Sequence, residues 1–276
     1  MQHSTLIESI VTQLKPIRGI QAIVLGGSYA SGMYQPDSDI DIAMYYSETQ
    51  PLDTEHIRTI ATRMNDTPNP VVTDIRGWGR WVNGGGWLTI RGQRVDFLYR
   101  NSDFVSRTLD DCNNGIFATD YLQQPPYGFY SYMYCAETSI CQPLYDPNDV
   151  LSILKAKVAT YPQALKQAIL QQDLWAANFS LENAHKAAKR SDVYFTVGCV
   201  TRAISMLTQV LYALNETYFL SEKNLAKQTS AFKIMPNNFV ERVESILSNL
   251  GNDAEQLTTS VVSTNTLLQD LQVLSL

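Results

Sequence analysis

Apolar positions change their period along this chain, and the change marks out its elements. Leu6, Ile7, Ile10, Val11 and Leu14 recur at three- and four-residue spacing, which predicts an opening amphipathic helix over 5–14. Ala22-Ile23-Val24-Leu25 is instead a short, β-branched apolar run, as a buried strand requires, and it stops at Gly26-Gly27. Strands are predicted at 21–25 and 39–46, with a short helix starting near Ser28 between them. A helix over His56–Asn65, a strand over Val71–Ile75 and a hairpin over 87–99 complete a small mixed sheet. Beyond Val150 the period is helical almost throughout, with helices predicted over 150–171, 174–190, 194–214, 236–249 and 253–275. The pattern is therefore α+β, a mixed-sheet domain followed by an α-helical bundle. Gln142-Pro143-Leu144-Tyr145-Asp146-Pro147 reads as a proline-bounded turn and sets the boundary near Pro147, giving domains 1–147 and 148–276.

The chemistry-bearing stretch lies between the first two strands. Gly26 and Gly27 lack Cβ atoms, so they can take positive φ and let backbone N–H groups approach a phosphate, while Ser28 adds a hydroxyl at a helix start. Ten residues later come Asp39-Ile40-Asp41-Ile42. Positions two apart on a strand share a face, so both carboxylates point one way and both isoleucines point into the core. Like charges on one face are unfavourable unless something neutralises them, and a divalent cation with phosphate oxygens does so. Turn chemistry accounts for Pro36, Asp37 and Ser38, but it accounts poorly for Asp41 inside an apolar run.

Gly26, Gly27, Ser28, Asp39 and Asp41 together resemble the signature of the polymerase-β-like nucleotidyltransferase superfamily: a Gly-Gly-Ser turn, about ten residues, then acid-hydrophobic-acid-hydrophobic. The family carries a third carboxylate on a later strand. Arg94-Val95-Asp96-Phe97-Leu98-Tyr99 is a strand with one acid among apolar residues, which makes Asp96 the third acid. The motif covers the first hundred residues or so, and the rest resembles the helical second domain of two-domain, antibiotic-nucleotidyltransferase-like members only loosely. The resemblance implies an N-terminal polymerase-β-like catalytic domain in which Asp39, Asp41 and Asp96 hold two Mg²⁺ ions. It implies transfer of a nucleoside monophosphate from an NTP, ATP foremost, to an acceptor hydroxyl with release of pyrophosphate. Asp96 would stand nearest the attacking hydroxyl and could serve as general base.

Other residues bear on ligand contact. Gly77 to Trp87 sets three tryptophans among five glycines. It reads either as a glycine-rich loop pinned against the sheet by aromatic rings, or as a cleft wall in which Trp78 or Trp81 stacks on a base or acceptor ring. Glu182, His185, Lys186 and Lys189 share one helical face, either as solvated surface or with Lys186 or Lys189 reaching the triphosphate. Arg202, in an otherwise apolar helix, needs an anionic partner, either a phosphate or a carboxylate of the helical domain.

Composition narrows the alternatives. A net charge of −6 lacks the basic footprint that long nucleic acid requires, so a small acceptor such as an aminoglycoside-like compound is expected. A toxin-like enzyme modifying tRNA or a protein, and a non-catalytic nucleotide-binding module, remain the other readings. No run of eighteen apolar residues and no basic-then-apolar leader occurs, so no membrane association and a cytoplasmic location are expected. Cys112, Cys135, Cys141 and Cys199 show neither metal spacing nor a disulfide framework. Neither a P-loop, a zinc motif nor a nucleophile elbow is present.

Overall fold

The computed structural model describes residues 2–276. Their chain order is α1 (Gln2–Leu14), β1 (Ala22–Leu25), α2 (Gly27–Ser31), β2 (Ile40–Tyr46), α3 (Thr54–Met64), β3 (Val71–Val72), α4 (Gly79–Val82), β4 (Gly85–Ile90), β5 (Gln93–Asn101) and α5 (Ser102–Asn113). There follow β6 (Thr119–Asp120), β7 (Phe129–Tyr130), α6 (Met133–Ile140), β8 (Gln142–Tyr145), α7 (Val150–Lys157), α8 (Gln163–Ala188), α9 (Val193–Leu214), α10 (Leu225–Thr229), α11 (Phe239–Ser248) and α12 (Ala254–Leu274). The chain forms two compact units. One comprises the residues up to Asp111 with 118–123 and 128–160, and the other comprises 112–117, 124–127 and 161–276.

The first unit is built on a six-stranded mixed sheet of order β3-β4-β5-β2-β1-β8. β2 and β5 run parallel, and the other neighbours are antiparallel. Ile40 and Ile42 are fully buried with Ile23, Val95 and Phe97, so one face of the central strands packs into a core shared with Ile10, Leu14, Ile57 and Ile60. The β4–β5 hairpin closes through Arg91 and Gly92, both at positive φ, as a two-residue turn demands. The Asp66 carboxylate accepts hydrogen bonds from both of their N–H groups.

The segment from Gln142, expected to be a turn, begins with a strand: β8 pairs with β1 at the sheet edge. An edge position tolerates Pro143, which cannot donate to a ladder. α5 and α6 also escape the sequence pattern.

The second unit is helical. α8, α9 and α12 pack on one another around Ala177, Ala184, Ala203, Leu207, Leu211, Leu257, Leu267 and Leu271. The helix expected over 150–171 is in fact two, α7 and the start of α8, because Pro162 lacks the N–H that an uninterrupted helix would need. The helices expected at 150–171 and 174–190 then merge, with α8 running unbroken for 26 residues. α9 is long and apolar enough to cross a membrane by length and composition, yet 72% of its most apolar stretch is buried in the protein, as in a core helix. All four cysteines are free thiols.

Candidate active site

The glycine turn and the acids are brought together by the register of the central strands. Asp41 of β2 lies directly opposite Asp96 of the parallel strand β5, so their side chains leave the same sheet face. Gly26 caps α2 from an extended conformation, and its N–H donates to the Asp41 carbonyl at 2.9 Å. Gly27 has φ of +56°, and a Cβ placed there would stand 1.8 Å from Asp41 Oδ2. Glycine is required at 27 on both counts, since the backbone is left-handed and the carboxylate occupies the space of a side chain. Ser28 follows in the first turn of α2, half-buried.

Asp39 sits one residue before β2. Its approach is fastened to β5: Gln93 Nε2 donates to the Ser38 carbonyl at 2.9 Å and an Arg94 Nη donates to the Asp37 carbonyl at 2.5 Å. Arg94 Nε lies 2.5 Å from Asp39 Oδ1, but without hydrogen-bond geometry, and that buried oxygen has no hydrogen-bond partner. Arg94 thus draws Asp39 by charge alone.

Asp41 is the electrostatic centre. Its carboxyl is pushed up to about 7, first by burial, then by the negative charges of Asp96, Glu137 and Asp39, with Arg100 opposing. Arg100 and Glu137 went unnoticed in the sequence. Arg100 stands four residues after Asp96 on the same face of β5, only 4% exposed, and its guanidinium grips both Glu137 carboxylate oxygens of α6 at 2.9 and 3.0 Å. It also donates to the carbonyls of Val82 and Tyr99 and lies over the Tyr134 ring. The period-two spacing of Asp96, Leu98 and Arg100 was the available signal. Glu137, one acid in an otherwise uncharged helix, was the other.

The tryptophan loop divides by role. Trp81 is buried among Phe104, Phe129 and Tyr134, which corrects its placement as a cleft-lining candidate. Asn83, held at positive φ, fixes the loop by donating to the Tyr46 hydroxyl and accepting from Arg76 N–H. Gln123 Oε1 accepts from the Trp81 and Val82 N–H groups. Trp78 instead stacks on Trp87, which is 56% exposed, at 4.9 Å between rings.

Lys186, Lys189 and Arg202 belong to the second unit, and all three are exposed. Arg202 lines a groove of about 900 Å³ with Phe179, Asn183, Tyr194, Phe195 and Cys199. It forms no salt bridge among the described residues, so the account in which a carboxylate of this unit neutralises it does not hold.

Asp39, Asp41 and Asp96 supply only carboxylate oxygens, the donor type that suits Mg²⁺. Asp39 keeps an unbonded buried oxygen. Among the described residues no three His, Cys, Asp or Glu side chains are grouped so as to hold a metal ion. The acids form a pair, Asp41 and Asp96, and a third carboxylate held towards Arg94.

Residues 6–114 match the family model of the nucleotidyltransferase domain, and residues 136–224 match that of a domain of unknown function, DUF4037. The first unit therefore carries a nucleotidyltransferase domain of the polymerase-β-like superfamily. A crystal structure described as a nucleotidyltransferase-like protein from Exiguobacterium sibiricum 255-15 is similar at 12% identity and a TM-score of 0.47, over 95% of this chain and 72% of that one. No curated protein matches.

Proposed function

We propose that this nucleotidyltransferase domain moves a nucleoside monophosphate from an NTP, with ATP as the expected donor, to the hydroxyl of a small acceptor. The observation that carries the reading is the in-register pair Asp41–Asp96 beside the left-handed Gly27. Two half-buried carboxylates on one face are costly alone, and the raised proton affinity of Asp41 expresses that cost. Such a site binds best what neutralises it. Mg²⁺ held by Asp39, Asp41 and Asp96 would offset the charge of the triphosphate.

The chain's own groups then have separate tasks. The Gly26-Gly27-Ser28 turn leaves room for a phosphate against the backbone. Asp96 accepts the proton of the acceptor hydroxyl. As that oxygen bonds to the α-phosphorus, the bond from the α-phosphorus to the bridging oxygen breaks, and pyrophosphate departs with the electron pair. Arg94 and Arg100 hold Asp39 and Glu137 in place, and Arg100 also limits the negative field at Asp41. With a net charge of −6, the chain favours a small neutral or cationic acceptor over a polyanion.

Incubation with Mg²⁺ and each α-labelled NTP, against aminoglycosides, lincosamides, bulk tRNA and the protein itself, tests this. Label on a small acceptor supports the proposal. Label on tRNA or on protein supports the toxin-like reading, and label on nothing supports a binding module.

A further inference from the structure

We propose that Trp87, backed by Trp78, is the platform on which the ring of the acceptor lies. This inference rests on the nucleotidyl-transfer reading and extends it to a residue that positions the second substrate.

The sheet register carries it. Trp87 of β4 is directly opposite Asp96 of β5, and Asp96 is directly opposite Asp41 of β2. Cross-strand partners share a face and adjacent strands lie about 4.8 Å apart. Trp87, Asp96 and Asp41 thus form one transverse row on one face of the sheet. The glycine turn continues the row at the end of β1, where Gly26 bonds to the Asp41 carbonyl. The order across the sheet is stacked indoles, two carboxylates, then the phosphate turn.

Chemistry gives that order a direction. In an in-line displacement the attacking and leaving oxygens stand on opposite sides of the phosphorus. If pyrophosphate leaves towards Gly27 and Ser28, the attacking hydroxyl comes from the side of Asp96, and the rest of the acceptor extends over Trp87.

The indole is built to receive a ligand. At 56% exposed, Trp87 is among the most open large apolar side chains of its unit, although a strand residue of this size is usually covered. Trp78 holds it by stacking at 4.9 Å with 22° between planes. Gly85 leaves room first for the Phe97 carbonyl, whose oxygen a Cβ would approach to 1.8 Å, and then for Trp78, whose Cζ3 would lie at 2.9 Å. A rigid indole beside carboxylates suits a hydroxylated ring of neutral or cationic charge: the C–H face of a sugar packs on the indole, and an ammonium group gains from both the π face and the acids.

Kanamycin, lincomycin and N-acetylglucosamine serve as acceptor probes, and α,β-methylene-ATP with Mg²⁺ serves as the donor probe. Each is titrated into the full chain, its W87A and W87F forms and Asp41→Asn, and dissociation constants are read from calorimetry. Loss of the Trp78–Trp87 exciton band in far-ultraviolet circular dichroism confirms each Trp87 substitution, with the remaining spectrum reporting the fold. The expected result is that at least one acceptor probe binds the unaltered chain, weakens tenfold or more in W87A and only two- to threefold in W87F, while the donor probe changes less than twofold. Binding of no acceptor probe, or binding within twofold in W87A, overturns the platform. Weakening of the donor probe by W87A as large as that of the acceptor probe overturns it too, by placing the nucleobase there. Donor binding that is indifferent to Asp41→Asn overturns the nucleotidyl-transfer reading instead, a result that the acceptor titrations do not produce.

Discussion

The Asp41 carboxylate occupies the space that a side chain on residue 27 would fill: a Cβ there would stand 1.8 Å from its Oδ2. Gly27 and Asp41 are thus a fitted pair, one from the turn after β1 and one from β2. At Gly26 the same construction meets Asp41 Cβ at 3.6 Å, an ordinary contact. Gly27→Ala should therefore displace the carboxylate and strain the backbone, lowering stability by about 1–3 kcal/mol and weakening Mg·ATP binding at least tenfold. Gly26→Ala should be nearly silent in both. Thermal melts and ATP titrations of the two variants check the contrast, and equal behaviour would remove Gly27 from the site.

Asp41 is held with a carboxyl raised to about 7. Because this lies above its ordinary value of 3.8, the folded state binds the proton more tightly than the unfolded chain does. The associated stability is complete below about pH 4 and is lost as pH rises through 7. In the presence of EDTA, Asp41→Asn should therefore melt higher than the unaltered protein at pH 8, by about 1–3 kcal/mol after allowance for partial exposure, and no higher at pH 4. Melting curves at the two values decide it.

Arg100 and Glu137 form a buried bidentate pair, with Arg100 4% exposed and Glu137 more open. Removing one partner strands a buried charge. Glu137→Ala should cost about 3–5 kcal/mol. Glu137→Gln, which retains one acceptor, should cost less. Urea unfolding of the two variants measures the difference.

In the second unit, Asp173 on α8 is 1% exposed, and its Oδ2 has no hydrogen-bond partner among the described residues. Burial alone raises its carboxyl to about 7 from 3.8. The sign is that of Asp41: this residue's contribution to stability falls as pH climbs from about 4 through 7. Asp173→Asn should accordingly stabilise the protein at pH 8, by a few kcal/mol at most, and leave it unchanged near pH 4. A flat difference between the two melting profiles across that range would show that Asp173 is not held neutral.

The sheet and the acidic row were legible because their signals are local. Gly26-Gly27, the Asp39-Ile40-Asp41-Ile42 alternation and the lone acid of β5 each declare a face or a turn within a few residues. Edge strand β8 was hidden by Pro143 and Pro147, whose turn preference is outweighed by pairing with β1. Period-two spacing sets Arg100 on the face of Asp96, but Arg100 and Glu137 are far apart in sequence and meet only in the folded chain, so no spacing announces their pairing. The tryptophan loop offered three similar rings. Only packing separates Trp81, driven into an aromatic cluster, from Trp87, which the strand register turns outwards beside Asp96.

Whether Asp41 and Asp96 form the centre of a nucleotidyl-transfer site is decided by a double-label experiment. The protein is incubated with Mg²⁺ and the small-acceptor panel, once with α-labelled and once with γ-labelled ATP, alongside Asp41→Asn and Asp96→Asn. The expected result is that α-label moves onto an acceptor, that γ-label is found in pyrophosphate, and that each substitution lowers transfer by a factor of a hundred or more, about 3 kcal/mol or above in transition-state stabilisation. Appearance of γ-label on the acceptor, or α-label transfer that survives both substitutions, would contradict it.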